Sequence, residues 1–576
     1  MRICSFRDLT LLLLASGLLL SAGAQAVGKS TLGKTTLKGT SVLNGGGQPV
    51  YTTISLNSGP PEHDLGQARA GSVGKAPAAN KQAGNALSIP APPLDSITNK
   101  GGVSVAFAGL TTVDTANTNG FVTSPPDQGL CAGNGYVIEA INSVLAVYDT
   151  GGNPVTVPES VYPFFQTAPA PNFLADPRCY YDSATQRWFV SMTNVFNSDT
   201  GRSNLVLAVS KTGNPAGEYY VYFIDTTEDG LDGTPSNPGC STASPCFGDQ
   251  PLLGADAYGV YLSTNEFGLF SNTFNGAQIY AMSKAALEAG LGGPLLHIGG
   301  IPLAEGIAYS VQPASSPDLS GEAAPGVEYF LSALDFSSSL DNRIAVWALT
   351  NTQSLDSTPN VALLNTVIRS EVYGQPPLAT QKVGPYPLGQ SLGEPEETLD
   401  TDDDRMQNAV YASNHLWAGL TTVISDGANI NAGIAYFDVM PSVKGGVLSA
   451  KLQGQSYISV KGNSVIYPGI GVTVDGTVAA AFTLSGLSYY PSAAWAHLTP
   501  AHTTGINIAQ LGQAPQDDFS GYPEFGGFGA ARWGDYSWGV VDGGSLWLAT
   551  EYIPGDIDPL SYLTNFGTYI EKVDLQ

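Results

Sequence analysis

From Asp127 to the C-terminus the chain carries one degenerate pattern seven times over, and repetition restricts it to architectures assembled from like units. Each copy opens with a turn and a short strand, then passes through a second turn into a stronger strand. The copies begin Asp127-Gln-Gly-Leu-Cys, Asp176-Pro-Arg-Cys, Asp249-Gln-Pro-Leu, Val311-Gln-Pro-Ala, Asp404-Arg-Met-Gln, Tyr467-Pro-Gly-Ile and Arg532-Trp-Gly-Asp. Third strands with alternating large residues follow, such as Asn204-Leu-Val-Leu-Ala-Val and Arg343-Ile-Ala-Val-Trp. Fourth strands follow six copies, for example Tyr219-Tyr-Val-Tyr-Phe-Ile. The uneven spacing disfavours a β-helix, whose coils are short and even; a tandem of β-sandwiches is the other alternative.

After the seventh copy the chain ends without a fourth strand. A supplier stands at the other end: Val103-Ser-Val-Ala-Phe-Ala-Gly-Leu precedes the first copy, in the place of an outer strand. A ring closed this way leaves only short, protected strand edges. Over residues 103–576 the chain therefore resembles the secreted bacterial seven-bladed β-propellers. The resemblance implies an all-β fold of four-stranded antiparallel blades, closed by an N-terminal strand. It extends to no particular family, since neither the S-x-D-x-G-x-T-W turn of sialidase-type propellers nor the G-H…W-D signature of WD40 repeats occurs in the sequence.

The composition agrees. The chain has 68 Gly and 39 Pro, suited to short strands joined by many turns. Only 23 Lys+Arg stand against 49 Asp+Glu, which argues against a nucleic-acid or anionic-membrane partner. Arg2 and Arg7, the apolar run Leu9–Leu20 and Ala24-Gln25-Ala26 read as a signal peptide over 1–26, hence a secreted, periplasmic or cell-exterior protein. No later run is long enough for a transmembrane segment. Residues 27–102, rich in Gly, Ser, Thr, Ala, Pro and Lys, read as a flexible spacer. The remaining body, 103–576, carries the acidity. Cys131, Cys179, Cys240 and Cys246 form an even set in an exported chain; of the three possible pairings, Cys240–Cys246 with Cys131–Cys179 is favoured.

Inner-strand starts and second-strand ends share one face of such a ring. The long stretches 226–248, 371–403 and 513–531 enter inner strands there, while 266–276 and 421–432 join second to third strands. Loops carry binding residues on a rigid scaffold, so this is the expected working face. It presents Asp127, Asp176, Asp249, Asp404 and Asp535, with Arg178, Arg405 and Arg532, and Glu266 and Glu551 at second-strand ends. One reading is a charged funnel for a cation or a polar ligand, a glycan or a protein. The other is that each Asp closes its own turn with an Arg as partner. Two oxygen-rich turns suggest Ca²⁺: Asp400-Thr-Asp402-Asp-Asp404, and Asp225, Asp229 and Asp232. The D-x-D-x-D turn is not an EF-hand, because Arg405 takes the place of the invariant Gly. His63, His297, His415, His497 and His502 lie in no catalytic motif. The leading expectation is an exported recognition module; the alternative is a carbohydrate hydrolase or lyase using mouth carboxylates, such as Asp249 with Glu266 or Asp535 with Glu551, with Arg178, Arg405 and Arg532 holding an anionic sugar.

Overall fold

The computed structural model describes residues 29–43, 55–56, 87–99, 101–169, 172–197, 202–271, 273–317, 326–334 and 340–575; the expected signal peptide and His63 lie outside them. Strands dominate, and helices are few and short. None of the described helices is long and apolar enough to cross a membrane.

Consecutive antiparallel sheets follow the order of the repeats. Sheet A spans Gly129–Gly133, Tyr136–Ile141, Val144–Asp149 and Glu159–Ser160. Sheet B spans Phe173–Asp182, Arg187–Asn197, Arg202–Ser210 and Glu218–Asp225. Sheet C spans Cys246–Ala255, Gly259–Gly268, Phe274–Ser283 and Pro294–Gly299. Sheet D runs from Gln312–Ser315 to Ala362–Tyr373, and sheet E from Met406–Ala412 to Val447–Ile458. A short parallel pairing of Ala314 and Ser315 with Ala409 and Val410 joins D to E through their innermost strands. Sheet F runs from Asn463–Val472 to Thr503–Gln510. Sheet G takes Trp538–Asp542, Ser545–Tyr552 and Gly567–Val573 from the C-terminal end, and Val103–Thr111 pairs with the last of these.

The alternation of each strand divides its side chains between two neighbouring sheets. On Arg187–Asn197, Trp188 and Val190 pack with Ile138 and Leu145 of sheet A, whereas Phe189 packs with Val260 and Leu262 of sheet C. Equivalent apolar layers lie between C and D (Tyr261, Phe330), D and E (Leu331, Leu416), E and F (Tyr436, Phe482), and F and G (Trp495, Leu546). A further layer joins G to A, with Trp547 and Ile570 against Val137 and Ala146. Where the innermost strands of F and G meet, glycine is obligatory: a Cβ on Gly539 would stand 2.3 Å from the Gly471 nitrogen.

The leader departs from the expected spacer. Lys29–Lys34 adds a fifth strand to the outer edge of sheet C, and Thr36–Val42 does the same for sheet B. Residues 87–99 lie against sheets E and F, with Thr98 N donating to Ile506 O (2.7 Å) and Ser459 N donating to Asp95 (3.0 Å). The expected long connectors at 266–276 and 421–432 are mostly strand as well, because Gly259–Gly268 and His415–Ser425 continue their ladders outward. The disulfides are Cys131–Cys179, across the inner strands of A and B, and Cys240–Cys246.

Candidate functional site

Five inner strands carry a residue in the left-handed region, just ahead of the strand for Asp127 (φ 44°) and Ser310 (41°) and within its first half for Asp176 (58°), Gln250 (50°) and Tyr467 (54°). Proline follows three of them, and the pairing register slips at Ala175/Arg178, Asp249/Leu252 and Ile466/Gly469. The Asp/Gln-Pro signature of the repeat is thus a bulge that turns backbone and side chain at the head of the strand. Its amide is met by the preceding sheet: Asp176 N donates to Asn142 Oδ1 (2.9 Å), Ser310 N to Asn265 Oδ1 (2.8 Å) and Tyr467 N to Thr421 Oγ1 (3.0 Å). Non-glycine residues in this region cost about 1–3 kcal/mol each, so the surroundings must hold them there.

These heads bring Asp127, Asp176 and Asp535 together, with carboxylate oxygens all within 4.8 Å of one another. Asp127 accepts from Asn142 Nδ2 and from Asp535 N (2.9 Å). Burial raises its pKa, against the opposing charges of Arg532 and Arg178. Burial holds Asp176 well above the usual carboxylate range; the Asp127 and Asp249 charges add to this, and Arg178 and Arg532 oppose it. Glu551 joins the group, accepting from Gly534 N (2.7 Å), its pKa pushed up by burial. Arg178 is 2% exposed; its Nε donates to Pro251 O (2.6 Å) and its guanidinium lies 3.5 Å over the Tyr536 ring, leaving Nη2 without a partner.

Arg405 serves a neighbouring part of the same end. It binds Asp403 through Nε (2.8 Å) and Nη2 (3.1 Å), Asp402 through Nε (2.8 Å), and Gln250 Oε1 through Nη1 (2.9 Å). Burial works against its charge, but Asp402 and Asp403 outweigh that and raise its pKa. Asp400 accepts from Thr401 N (2.7 Å) and Asp402 N (3.1 Å), and Asp404 accepts from the Tyr309 hydroxyl (3.4 Å). The turn expected to gather Asp400, Asp402 and Asp404 around an ion bonds Asp400 to its own amides and pairs Asp402 and Asp403 with Arg405. Asp225, Asp229 and Asp232 likewise surround Arg202, at 2.9 Å for Asp229 and 3.4 Å for Asp232. Glu266 is drawn away from the mouth: Asn275 (2.5 Å) and Asn237 (2.8 Å) hold it beside the Cys240–Cys246 loop.

Beyond the mouth, a cavity of about 60 Å³ draws wall residues from the inner strands of all the sheets, among them Cys131, Arg178, Leu252, Gln312, Gln407, Val472 and Trp538. Its wall runs from Gln312, Gln407 and Trp538 near the starts of their strands to Tyr181, Val410 and Val541 further along, and includes none of the acidic residues of the mouth. The long-loop end is instead roofed by the helices Thr112–Asn119, Pro387–Leu392 and Pro559–Tyr562, whose neighbours Phe519 and Leu563 pack on Ala116 and Val122. Gln407 is 3% exposed, and neither its amide oxygen nor its amide nitrogen has a partner. Sequence reasoning missed Gln407, Gln312, Tyr536 and Trp538. The available signal was a Gln in an inner strand, beside Asn408 and ahead of the apolar Ala409 and Val410.

No protein-family model and no curated protein matches the chain. Solved structures that it resembles include an exo-β-1,3-galactanase from Clostridium thermocellum, at 9% identity over 82% of this chain and 100% of that one, with a TM-score of 0.27. Another is the phage phi92 endosialidase (9% identity, 79% and 68% of the two chains, TM-score 0.33). A third is the extracellular domains 1–2 of Drosophila semaphorin 1b (10%, 84% and 88%, 0.33). Likenesses this distant leave the architecture and the activity to be argued from the chain itself.

Proposed function

We propose that this chain is an exported seven-bladed β-propeller, closed by Val103–Thr111, which acts as a binding module for an uncharged polar ligand, a glycan segment, in its axial cavity. The closed ring is supported by contacts between the innermost strands of every adjacent pair of sheets, including G with A, and by the apolar layer between those two. An exterior location is supported by two disulfides and by the signal-peptide pattern of the first 26 residues.

The observation that carries the binding reading is the pair of unsatisfied groups in the cavity wall, the Gln407 amide and Arg178 Nη2. A buried polar group without a partner costs about 1–3 kcal/mol, and a hydroxyl-rich ligand recovers that by accepting from the guanidinium and exchanging bonds with the amide. Trp538 and Tyr181 in the same wall offer the apolar surface that sugar rings stack on. The ligand is uncharged on this reading. At the adjacent mouth Asp127, Asp176, Asp249, Asp402, Asp403, Asp404 and Asp535 outnumber Arg178, Arg405 and Arg532, so an anionic sugar would meet net repulsion.

Binding is favoured over hydrolysis because none of the cavity's wall residues is Asp or Glu, whereas glycoside cleavage needs two carboxyl groups flanking the bond. The test is an array of neutral and acidic glycans followed by calorimetry. Gln407→Ala is expected to weaken binding of the selected neutral glycan by about tenfold or more, in line with about 1.5 kcal/mol for a lost hydrogen bond. Binding only to acidic glycans, or reducing ends released from the bound glycan, would overturn the reading.

A further inference from the structure

The outer edge of a sheet is a row of backbone N–H and C=O groups open to a further strand, and folded proteins blunt it with charge, proline, shortness or a covering segment. Sheets A to F are each blunted in one of these ways. Sheet A ends on the two-residue strand Glu159–Ser160. The edges of sheets B and C are taken by Thr36–Val42 and Lys29–Lys34, and these new edges carry Lys38 and Lys34. Ala362–Tyr373 on sheet D holds Arg369 and Glu371, and Val447–Ile458 on sheet E holds Lys451. On sheet F, Thr503–Gln510 is covered at Ile506, whose N–H donates to Ser96 O (2.9 Å) and whose O accepts from Thr98 N (2.7 Å).

Sheet G is the exception. Its last strand, Val103–Thr111, pairs with Gly567–Val573 on one side and, among the described residues, with no strand on the other. It reads Val-Ser-Val-Ala-Phe-Ala-Gly-Leu-Thr, nine residues with no charge and no proline. Val103, Ser104, Ala106 and Ala108 are exposed. Val105 and Phe107 are half-buried against sheet A, with the Phe107 and Tyr148 ring centroids 4.9 Å apart. Uncharged, β-prone segments with a free edge are the ones to which further strands add.

We propose that this edge is a dimer interface, on which Val103–Ala108 of one copy pairs antiparallel with the same segment of a second copy and merges the two sheets G into one. The strand that suits an uncharged edge is another uncharged strand, and the chain itself supplies it. Antiparallel pairing about a two-fold axis sets the Val103–Val105 half of one strand against the Phe107 half of the other, β-branched beside aromatic. The chain's net charge of −26 opposes close approach elsewhere, whereas this strand sets no charge of its own against its copy. Such an isologous contact closes on itself and stops at two copies. A strand of nine residues spans about 30 Å, so the contact is at the small end of interface sizes and the dimer forms reversibly, at raised concentration. It goes beyond the glycan reading and stands whether or not the cavity takes a saccharide.

Light scattering over a concentration series of the protein expressed from residue 27 is expected to show passage from monomer to dimer. Raised salt should favour the dimer, because it screens the repulsion between acidic bodies. Ala106→Lys combined with Ala108→Lys sets like charges across the axis and is expected to raise the dimer Kd at least tenfold, with the melting temperature of the dilute monomer unchanged. A thiol reads the pairing even if that variant fails to fold. Cys131, Cys179, Cys240 and Cys246 are paired, so an introduced cysteine is the only free one in this protein. Mild oxidation is expected to link Ala106→Cys into a covalent dimer and to leave Ser449→Cys, on the edge of sheet E, monomeric. A wild type that stays monomeric at every concentration, a dimer that the two lysines leave intact, or equal crosslinking of the two cysteine variants would each overturn the proposal. A monomer whose Val103–Ala108 amides gain exchange protection only when another protein is added would also overturn it, and would assign the edge to a foreign strand.

Discussion

Glu139 shows how much one side chain contributes to closing the chain on itself. It lies in the second strand of sheet A, fully buried, and accepts from Leu110 N (2.9 Å), Gln128 Nε2 (2.7 Å), the Tyr148 hydroxyl (3.2 Å) and the Thr568 hydroxyl. Leu110 belongs to the N-terminal strand and Thr568 to the C-terminal one, so a single carboxylate spans the seam. Glu139→Ala is expected to cost about 3 kcal/mol or more in urea unfolding, because four buried donors lose their acceptor; Glu139→Gln should cost less. Equal stabilities for the three proteins would refute the seam role. A lone Glu inside Tyr-Val-Ile-Glu-Ala is visible in the sequence, but its partners lie 29 and 429 positions away and are not. The same holds across the site. The repeat placed Asp127, Asp176 and Asp535 at equivalent points, so their convergence was legible. Glu266, at a second-strand end like Glu551, was expected on the same face, yet the Cys240–Cys246 loop folds onto it, and no periodicity announces that.

At the level of elements, the strands that read most clearly are those whose alternate residues enter two apolar layers. Val103–Thr111, with one exposed face, was legible instead from the apolar face of Val105, Phe107 and Leu110 and from its place before the first copy, and its register sets Phe107 opposite Ile570. Lys29–Lys34 and Thr36–Val42 were not legible, because they add to outer edges where solvent covers much of their surface: Leu32 is 61% exposed and Leu37 36%. A strand held by backbone pairing alone needs no apolar alternation, and Gly, Ser, Thr and Lys suffice. The two classes of strand should therefore differ in what their loss does. A chain beginning at residue 101 is expected to keep a single cooperative thermal transition at a modestly lower temperature. A chain beginning at residue 112 is expected to lose that transition, since sheet G is left with a bare edge and the layer against sheet A is opened. Two truncations with the same melting profile would contradict this division.

For the molecule as a whole, the burial of acids decides how stability responds to pH. Burial pushes Glu228 and Glu397 to about 9, Glu571 to about 8 and Glu266 to about 7, with neighbouring carboxylates adding to the shift for Glu228 and Glu397. Each raised value means that the folded state holds a proton which the unfolded chain releases near pH 4.5. The associated stability is fully present below that pH and is lost as the pH climbs through about 7 to 9. Asp229 and Asp475, held low by hydrogen bonds, lose their smaller contributions only at stronger acidity. Calorimetric melting is thus expected to peak near pH 4 to 5 and to decline steadily toward pH 9; a melting temperature that is flat or rising over pH 5 to 9 would contradict the burial argument.

The pairing of Val103–Thr111 with Gly567–Val573 has one more consequence, for tension. The strands are antiparallel, so Val103 sits beside Val573, and the chain enters and leaves this ladder side by side at one end. A load applied between those two points peels the ladder rung by rung from that end instead of shearing all its rungs together. A body that resists heat through many simultaneous contacts is thereby left with a zip fastener at its seam.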